Sequence, residues 1–153
     1  MTHPSDSGAD EDRFELRRFV DAQQGVHEQA LAELKAGRKR SHWMWFVFPQ
    51  VAGLGISPTT MRYAIRSLAE AQAYLRHPLL GPRLVACAQA LLQVQGRSAE
   101  EILGYPDVLK LKSSMTLFAA LPDADPVFAA VLARYYGGGR DDRTLRLIGL
   151  AGG

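Results

Sequence analysis

The stretch KRSHWMWFVFPQ, residues 39–50, sets basic residues and a histidine against an unbroken apolar run and contains both tryptophans of the chain. Its aromatic and β-branched residues are also typical of a buried strand, but one strand without a partner cannot form a sheet. The surrounding sequence has helical spacing, and Ser41 can cap a helix. Residues 42–48 are therefore predicted to form a short buried helix that ends before Pro49.

Apolar residues recur with helical spacing through most of the remaining chain. The longest stripe runs from Pro78 to Gln95, and another covers residues 107–121. Asp125 followed by Pro126 is typical of a helix cap and its first helical residue. The sequence therefore predicts an all-α fold, a compact single-domain multi-helix bundle or orthogonal array of about seven to eight helices.

Charge is distributed unevenly along the 153 residues. Residues 1–12 carry four acidic groups and no lysine or arginine, so this segment has a charge of −4 and the rest of the chain +6. A short acidic segment of this kind buries too little apolar surface to fold. Residues 1–12 are therefore predicted to be a disordered acidic tail, and residues 13–150 a single helical domain.

The composition favours a cytoplasmic protein. The lone Cys87 cannot form an internal disulfide, and it lies on a helical stripe where a thiol is typically part of the core. No apolar run approaches the roughly 20 residues of a membrane span, and the N-terminus lacks the pattern of a signal peptide. We therefore expect a cytoplasmic location and no membrane contact, with the oligomeric state left open.

Most sequence patterns for catalysis are absent. The chain has no phosphate-loop or dinucleotide-binding pattern and no Gly-x-Ser-x-Gly elbow. None of its four histidines has a second histidine or cysteine three or four residues away, so no metal site is expected. No cofactor is expected either, and whether the protein is an enzyme stays open.

Two segments are candidates for a ligand site. The first combines cations with flat aromatic faces, which could bind a phosphate and stack a base or sugar. Its residues are Lys39, Arg40, His42, Trp43 and Trp45. The second is a helical face formed by Lys110, Ser113 and Ser114, which could bind an anion. His42 is the candidate catalytic residue, because imidazole suits proton transfer near neutral pH.

Each candidate also has a purely structural interpretation. Tryptophans in a dense apolar run usually belong to the core, and a basic cluster after a helix usually favours the helix dipole or solvent. Mid-helix serines commonly bond back to the carbonyl four residues earlier. Under this interpretation Trp43→Ala costs roughly 3 to 5 kcal/mol and no ligand exists.

Three segments resemble one known family: GRKRSHWMWFVFPQVAGLGISP (37–58), YAIRSLAEAQAYLRHPLLGPRL (63–84) and LKLKSSMTLFAA (109–120). The resemblance is to the bacterial domain-of-unknown-function family 1810, sometimes labelled calpastatin-like, and it extends from about Phe14 to Leu147. It implies a compact, mainly helical single domain and no established activity. The order YLRHPLLGPRL followed by KSSMTLF is also similar to a helical family proposed to process ADP-ribose derivatives or related riboside phosphates.

Two functional hypotheses follow. In the first, the protein binds an anionic nucleotide-like or ADP-ribosyl small molecule, with hydrolysis as a further step, in a pocket shared by the two candidate segments. This hypothesis requires residues 39–50 and 110–118 to meet in space. In the alternative, the protein is a non-catalytic module that contacts nucleic acid or an acidic protein through the basic cluster at residues 35–40. The small molecule is favoured over nucleic acid as the partner.

Overall fold

The computed structural model describes residues 12–149, in which the chain forms ten α-helices. They are α1 (Arg17–Gln23), α2 (His27–Lys35), α3 (Met44–Val47), α4 (Pro58–Arg62), α5 (Leu68–Arg76), α6 (Leu80–Gln93), α7 (Ala99–Leu103), α8 (Asp107–Ala119), α9 (Pro126–Tyr136) and α10 (Asp142–Leu147). Within that part of the chain the one β-type pairing is an isolated bridge between Val51 and Ile65. The all-α class predicted from the apolar spacing is confirmed.

The predicted acidic tail lies outside the described residues except for Asp12, which begins a 3-10 turn over Asp12–Phe14. The acidic residues from Asp10 to Asp12 suit a helix N-terminus and predict that the first helix starts there, but α1 begins only at Arg17. Between the two, Glu15 has a φ of 55°, in the left-handed region that interrupts a right-handed helix. None of the helices in residues 12–149 has the length and apolar character needed to cross a membrane.

Two short elements differ from the sequence-based prediction. The prediction omitted α4, whose five residues are too few to show a period; it is capped by Ser57, whose Oγ accepts the Thr60 N–H at 3.1 Å. The buried helix predicted at residues 42–48 is present as α3, but Ser41 does not cap it. The Ser41 hydroxyl instead donates to the Glu33 carboxylate at 2.6 Å. The N-cap position of α3 is Trp43, so Ser41 lies two residues before the position from which a side chain accepts the first helix N–H groups.

A chain of aromatic rings joins four helices in the hydrophobic core. The Tyr74 ring of α5 lies between Phe19 of α1, at a centroid distance of 5.1 Å, and Phe118 of α8, at 5.5 Å. Phe118 in turn lies 5.8 Å from Phe128 of α9. All four side chains are fully buried. The longest helix, α6, packs against α2, α5 and α9 and contributes aliphatic side chains to the same core.

The corner between α5 and α6 depends on a glycine. A Cβ atom added at Gly81 would lie 2.0 Å from the carbonyl oxygen of Leu75. Backbone atoms cannot approach a side-chain carbon that closely, so only glycine lets the first turn of α6 contact the last turn of α5. This close contact sets the angle at which the two helices meet.

Arg18 of α1 holds the segment after α4 against α5. Its guanidinium donates to the carbonyl oxygens of Arg62 at 2.7 Å and Ala64 at 2.9 Å. It also pairs with the Glu70 carboxylate at 2.6 Å, and the two side chains are only 10% and 3% exposed. Removal of one partner would leave the other charge buried without compensation.

We predict that Arg18→Met lowers the free energy of unfolding by about 3 kcal/mol, because it removes the guanidinium donor from Glu70 and from four backbone carbonyls. Urea denaturation measures this change. The matched control is Arg17→Met on the same helix, where the side chain is exposed; it should change stability by less than about 0.5 kcal/mol. Equal effects of the two substitutions would contradict the role assigned to Arg18.

Candidate functional site

The two candidate segments meet in space. Lys39 Nζ lies 2.9 Å from Asp107 Oδ2 in the first turn of α8. The backbone N–H of Lys39 donates to the Ile102 carbonyl at 2.7 Å. One turn further along α8, Lys110 Nζ lies 4.9 Å from the ring centroid of Trp45. The start of α8 therefore borders the segment that precedes and forms α3.

One carboxylate, that of Glu33, organises the loop before α3. Its Oε1 accepts the backbone N–H of Arg40 at 2.8 Å and of Ser41 at 3.1 Å. The same oxygen accepts the indole N–H of Trp43 at 2.9 Å. Its Oε2 accepts from the Ser41 hydroxyl at 2.6 Å and from the Gln29 amide at 3.2 Å. With five hydrogen bonds, the carboxylate sets the path of the chain from α2 into α3.

These contacts keep Glu33 ionised although it is 9% exposed. Burial raises the pKa of the carboxyl, but the hydrogen bonds from the Ser41 side chain, the Arg40 amide and the Trp43 indole outweigh burial and lower the pKa from 4.5 to about 2. The candidate list drawn from the sequence did not include Glu33. The available signal was its position three residues after Ala30 on the buried face of α2, where a carboxylate requires partners.

Trp43 and Lys39 are engaged in structural contacts. The Trp43 side chain is fully buried, and its ring lies 6.3 Å from that of Phe48. Lys39 Nζ lies 5.1 Å from the Trp43 ring, and the lysine side chain is 9% exposed. Because the Asp107 carboxylate neutralises the Lys39 ammonium, this lysine does not offer a free positive charge to a ligand.

Arg40 and His42 lie at the surface. Both side chains are exposed, and neither forms an ion pair or a side-chain hydrogen bond with any residue between 12 and 149. The catalytic role proposed for His42 requires a substrate within hydrogen-bonding reach and usually a group that orients the ring. In the part of the chain that the structure describes, no side chain orients it.

The polar residues of α8 have three different environments. Ser113 Oγ donates to the Leu109 carbonyl at 3.2 Å, the back-bonding geometry typical of a mid-helix serine. Ser114 is fully buried, and its Oγ has no hydrogen-bond partner among residues 12–149. Lys110 lies 3.5 Å from Asp107 Oδ1 with its side chain 23% exposed. Both serines are buried, whereas the charged side chain of Lys110 is partly exposed to solvent.

Trp45 is half-buried and lines a narrow depression of about 10 Å³. The other lining residues are Gln50, Val51, Thr60, Tyr63 and Ala64. Two aromatic rings, an amide and a hydroxyl converge here, a combination that can stack a planar ring and bond to its polar edge. The volume holds about one water molecule, so a larger ligand must displace some of the lining. Residue Ile56 in the adjacent loop is 91% exposed.

The lone cysteine and the metal-ligating side chains between residues 12 and 149 form no reactive cluster. No cluster of three or more histidine, cysteine or acidic residues that could hold a metal ion occurs among residues 12–149. Burial raises the pKa of the Cys87 thiol to about 12, although Arg83 opposes this shift. A thiol in that state is not a nucleophile at neutral pH.

The fold and the contacts of Glu33 define an all-helical protein with its aromatic segment bound to a buried carboxylate. The chain belongs to the family described as protein of unknown function (DUF1810), whose model matches residues 13–148, which confirms the resemblance seen in the motifs. It is similar to the conserved hypothetical protein Rv1873 from Mycobacterium tuberculosis, known from a crystal structure at 1.38 Å. The two are 63% identical, the match covers 90% of this chain and 98% of that chain, and the TM-score is 0.88. No curated protein matches the sequence.

We predict that Glu33→Gln lowers the free energy of unfolding at pH 7 by about 3 kcal/mol, because a neutral amide cannot replace an ionised acceptor of five hydrogen bonds. The folded-state pKa of Glu33 is depressed to about 2, so its stabilisation is present above pH 4.5 and is lost as the pH falls toward 2. Urea denaturation at several pH values should show the gap between wild type and variant closing in that window.

The matched control is Glu28→Gln on the same helix, where the side chain is exposed. This substitution should have little effect on stability at any pH. A gap between Glu33→Gln and wild type that is independent of pH would show that the carboxylate does not act through its charge.

Proposed function

We propose that this protein binds an anionic nucleotide-like small molecule, of which ADP-ribosyl compounds are one class, at Trp45. The observation that carries the proposal is the Lys110 ammonium 4.9 Å from the ring centroid of a half-buried indole. A base or sugar ring would stack on Trp45, and a phosphate would pair with Lys110. Both groups belong to the two segments first selected from the sequence.

The charges around the depression support an anionic ligand. None of the described residues that line it is acidic. The Arg62 guanidinium lies 5.6 Å from the ring centroid of Tyr63, one of the lining residues. The side chain of Arg143 in α10 donates to the Gly53 carbonyl at 3.1 Å and so places another cation beside the adjoining loop. Together with Lys110, these two arginines favour the approach of a phosphate.

The small volume of the depression implies that binding is accompanied by movement. A nucleotide occupies far more than the 10 Å³ available, so the side chains around Trp45 and Tyr63 must separate when it binds. The loop between Val51 and α4 is the segment best able to move, because Ile56 at its tip makes little contact with the core.

Hydrolysis is a separate step of the proposal and depends on His42. This side chain is exposed and lies three residues before Trp45. A bound ligand would have to bring its scissile bond to the imidazole, which would then act as the general base for an attacking water. If no hydrolysis occurs, the proposed function of the site is ligand binding alone.

We predict that ADP-ribose, NAD or AMP raises the melting temperature of the protein, since a ligand at 100 times its Kd adds about 2.7 kcal/mol to stability. For the nucleotide that binds, Lys110→Gln and Trp45→Leu should each weaken affinity about tenfold in calorimetric titration, through loss of the charge and of the stacking surface. The matched control is Arg146→Gln, which removes an exposed cation from α10 and should leave affinity unchanged.

Hydrolysis is tested by chromatography of each nucleotide after incubation with the wild type and with His42→Ala. If the wild type forms product and His42→Ala binds the nucleotide without forming product, the role of His42 is supported. The binding proposal fails if none of the three nucleotides shifts the melting temperature, or if folded Lys110→Gln binds as tightly as wild type.

A second candidate function is the binding of nucleic acid or an acidic protein by the basic cluster at residues 35–40. Within this cluster Lys35, Arg38 and Arg40 have exposed side chains, and none forms an ion pair with another described residue. A further exposed arginine, Arg97, borders the cluster, because its Cδ would lie 3.3 Å from a Cβ added at Gly37. Lys39 is excluded from this surface by its pairing with Asp107.

We predict that, if this second function holds, binding to a short DNA duplex weakens steeply with salt, with a slope of log K against log salt of about −0.9 for each phosphate contacted. Replacement of Lys35, Arg38 and Arg40 together by alanine should remove about 2 to 3 units of that slope. The matched control replaces three exposed arginines elsewhere, Arg17, Arg66 and Arg146, by alanine. Equal loss in both triple variants would indicate attraction to net charge and not to the cluster.

A further inference from the structure

A cleft of about 530 Å³ lies between the 3-10 turn at Asp12–Phe14 and the corner where α5 meets α6. Its volume is within the roughly 300 to 1,000 Å³ typical of small-molecule sites. Within the described part of the chain, it shares no lining residue with the depression at Trp45. The proposed function makes no use of this cleft.

The inner surface of the cleft is apolar. The wall is formed by Leu16, which is 2% exposed, by Phe14 of the 3-10 turn and by Ala73 of α5. Both Phe14 and Ala73 are half-buried, so carbon surface remains open to an occupant. A ligand that covers this surface gains from removing it from water.

Two arginines add positive charge to the apolar surface. Arg13 and Arg76 both line the cleft, and no carboxylate among residues 12–149 does. The Arg13 guanidinium lies 4.5 Å from the centroid of the Phe14 ring, where the aromatic face supports it. Arg76 Nη2 lies 3.7 Å from Asp123 Oδ2, but the two side chains are 70% and 78% exposed, so this ion pair is weak. A ligand anion can therefore replace Asp123 as the partner of Arg76.

The wall formed by the corner between α5 and α6 is held in a fixed shape. His77 lines the cleft, and its Nδ1 accepts the backbone N–H of Leu79 at 3.1 Å and of Leu80 at 3.3 Å. Gly81 keeps the two helices in backbone contact just behind this turn. Such a wall requires little reordering when a ligand binds.

We propose that this cleft is a second ligand site, which takes a small organic anion with an apolar body. The apolar body, a ring or a branched chain, lies against Leu16 and Ala73. Its carboxylate, sulfonate or phosphate lies toward Arg13 and Arg76, where the charges of the lining are complementary to it. The competing occupant is this chain's own residues 1–11, because Asp6, Asp10 and Glu11 shortly precede Arg13.

A pair of fluorescent probes that differ mainly in charge tests the proposal. 8-Anilino-1-naphthalenesulfonate is an anion with an apolar ring system, and N-phenyl-1-naphthylamine has the same rings without the sulfonate. In the full-length protein, Arg13→Gln combined with Arg76→Gln should weaken binding of the sulfonate about tenfold and that of the neutral amine less than about twofold. Arg66→Gln combined with Arg146→Gln, two exposed arginines outside the cleft, is the matched control and should change neither.

Two further measurements locate the probe. The backbone amide resonances of residues 69–78 should shift when the sulfonate is added to the wild-type protein. Ala73→Trp should fill the cleft and abolish binding of both probes while circular dichroism shows an intact helical fold. If that variant fails to fold, the amide shifts of the wild-type protein decide the location by themselves.

The proposal is overturned if residues 69–78 show no shift, or if the control pair loses as much sulfonate affinity as the Arg13 and Arg76 pair. The full chain carrying Asp6→Asn, Asp10→Asn and Glu11→Gln distinguishes the competing occupant. A gain in sulfonate affinity of more than about fivefold assigns the cleft to residues 1–11 and overturns the proposal, whereas any smaller change supports an external ligand.

Discussion

The Glu33 carboxylate accepts five hydrogen bonds from the loop and helix around it, and the positions of both tryptophans follow from these contacts. An ionised carboxylate that is largely shielded from water is tolerated only where such donors replace its hydration. Because Glu33 binds the indole N–H of Trp43, that ring enters the core. Trp45, two residues later in α3, remains half-buried.

Within three positions of the sequence, Trp43 is a buried core residue and Trp45 is a partly exposed ring. The cations divide in the same way. Asp107 pairs with Lys39 at 2.9 Å and is 3.5 Å from Lys110, so the less exposed Lys39 has a structural role and Lys110 presents its charge beside Trp45. The same short region thus supplies core packing on one side and a cation next to an open aromatic face on the other. The 530 Å³ cleft at Arg13 and Arg76 combines charge and carbon surface in a different part of the fold.

Elements whose signals are local were predicted well from the sequence. The long apolar stripe of α6 and the cap at Asp125 before α9 are both present, because spacing and capping involve residues within one or two turns. The helix α4 was missed because five residues show no period. The Ser41 cap was wrong because α3 begins only at Met44, and the Glu33 carboxylate binds Ser41 in the loop before that helix. The position of this carboxylate depends on how the helices pack and leaves no local pattern.

By itself, the sequence determined the all-helical class, the family and the two segments that form the candidate site, because apolar periodicity and a rare aromatic motif are properties of neighbouring residues. Only the tertiary structure decided that Trp43 is buried while Trp45 is half-buried, that Lys39 pairs with Asp107, and that Arg13 and Arg76 line a cleft with an apolar wall. The physical reason is that burial, ion pairing and cavity shape arise between residues far apart in the chain. They exist only once the helices have packed together.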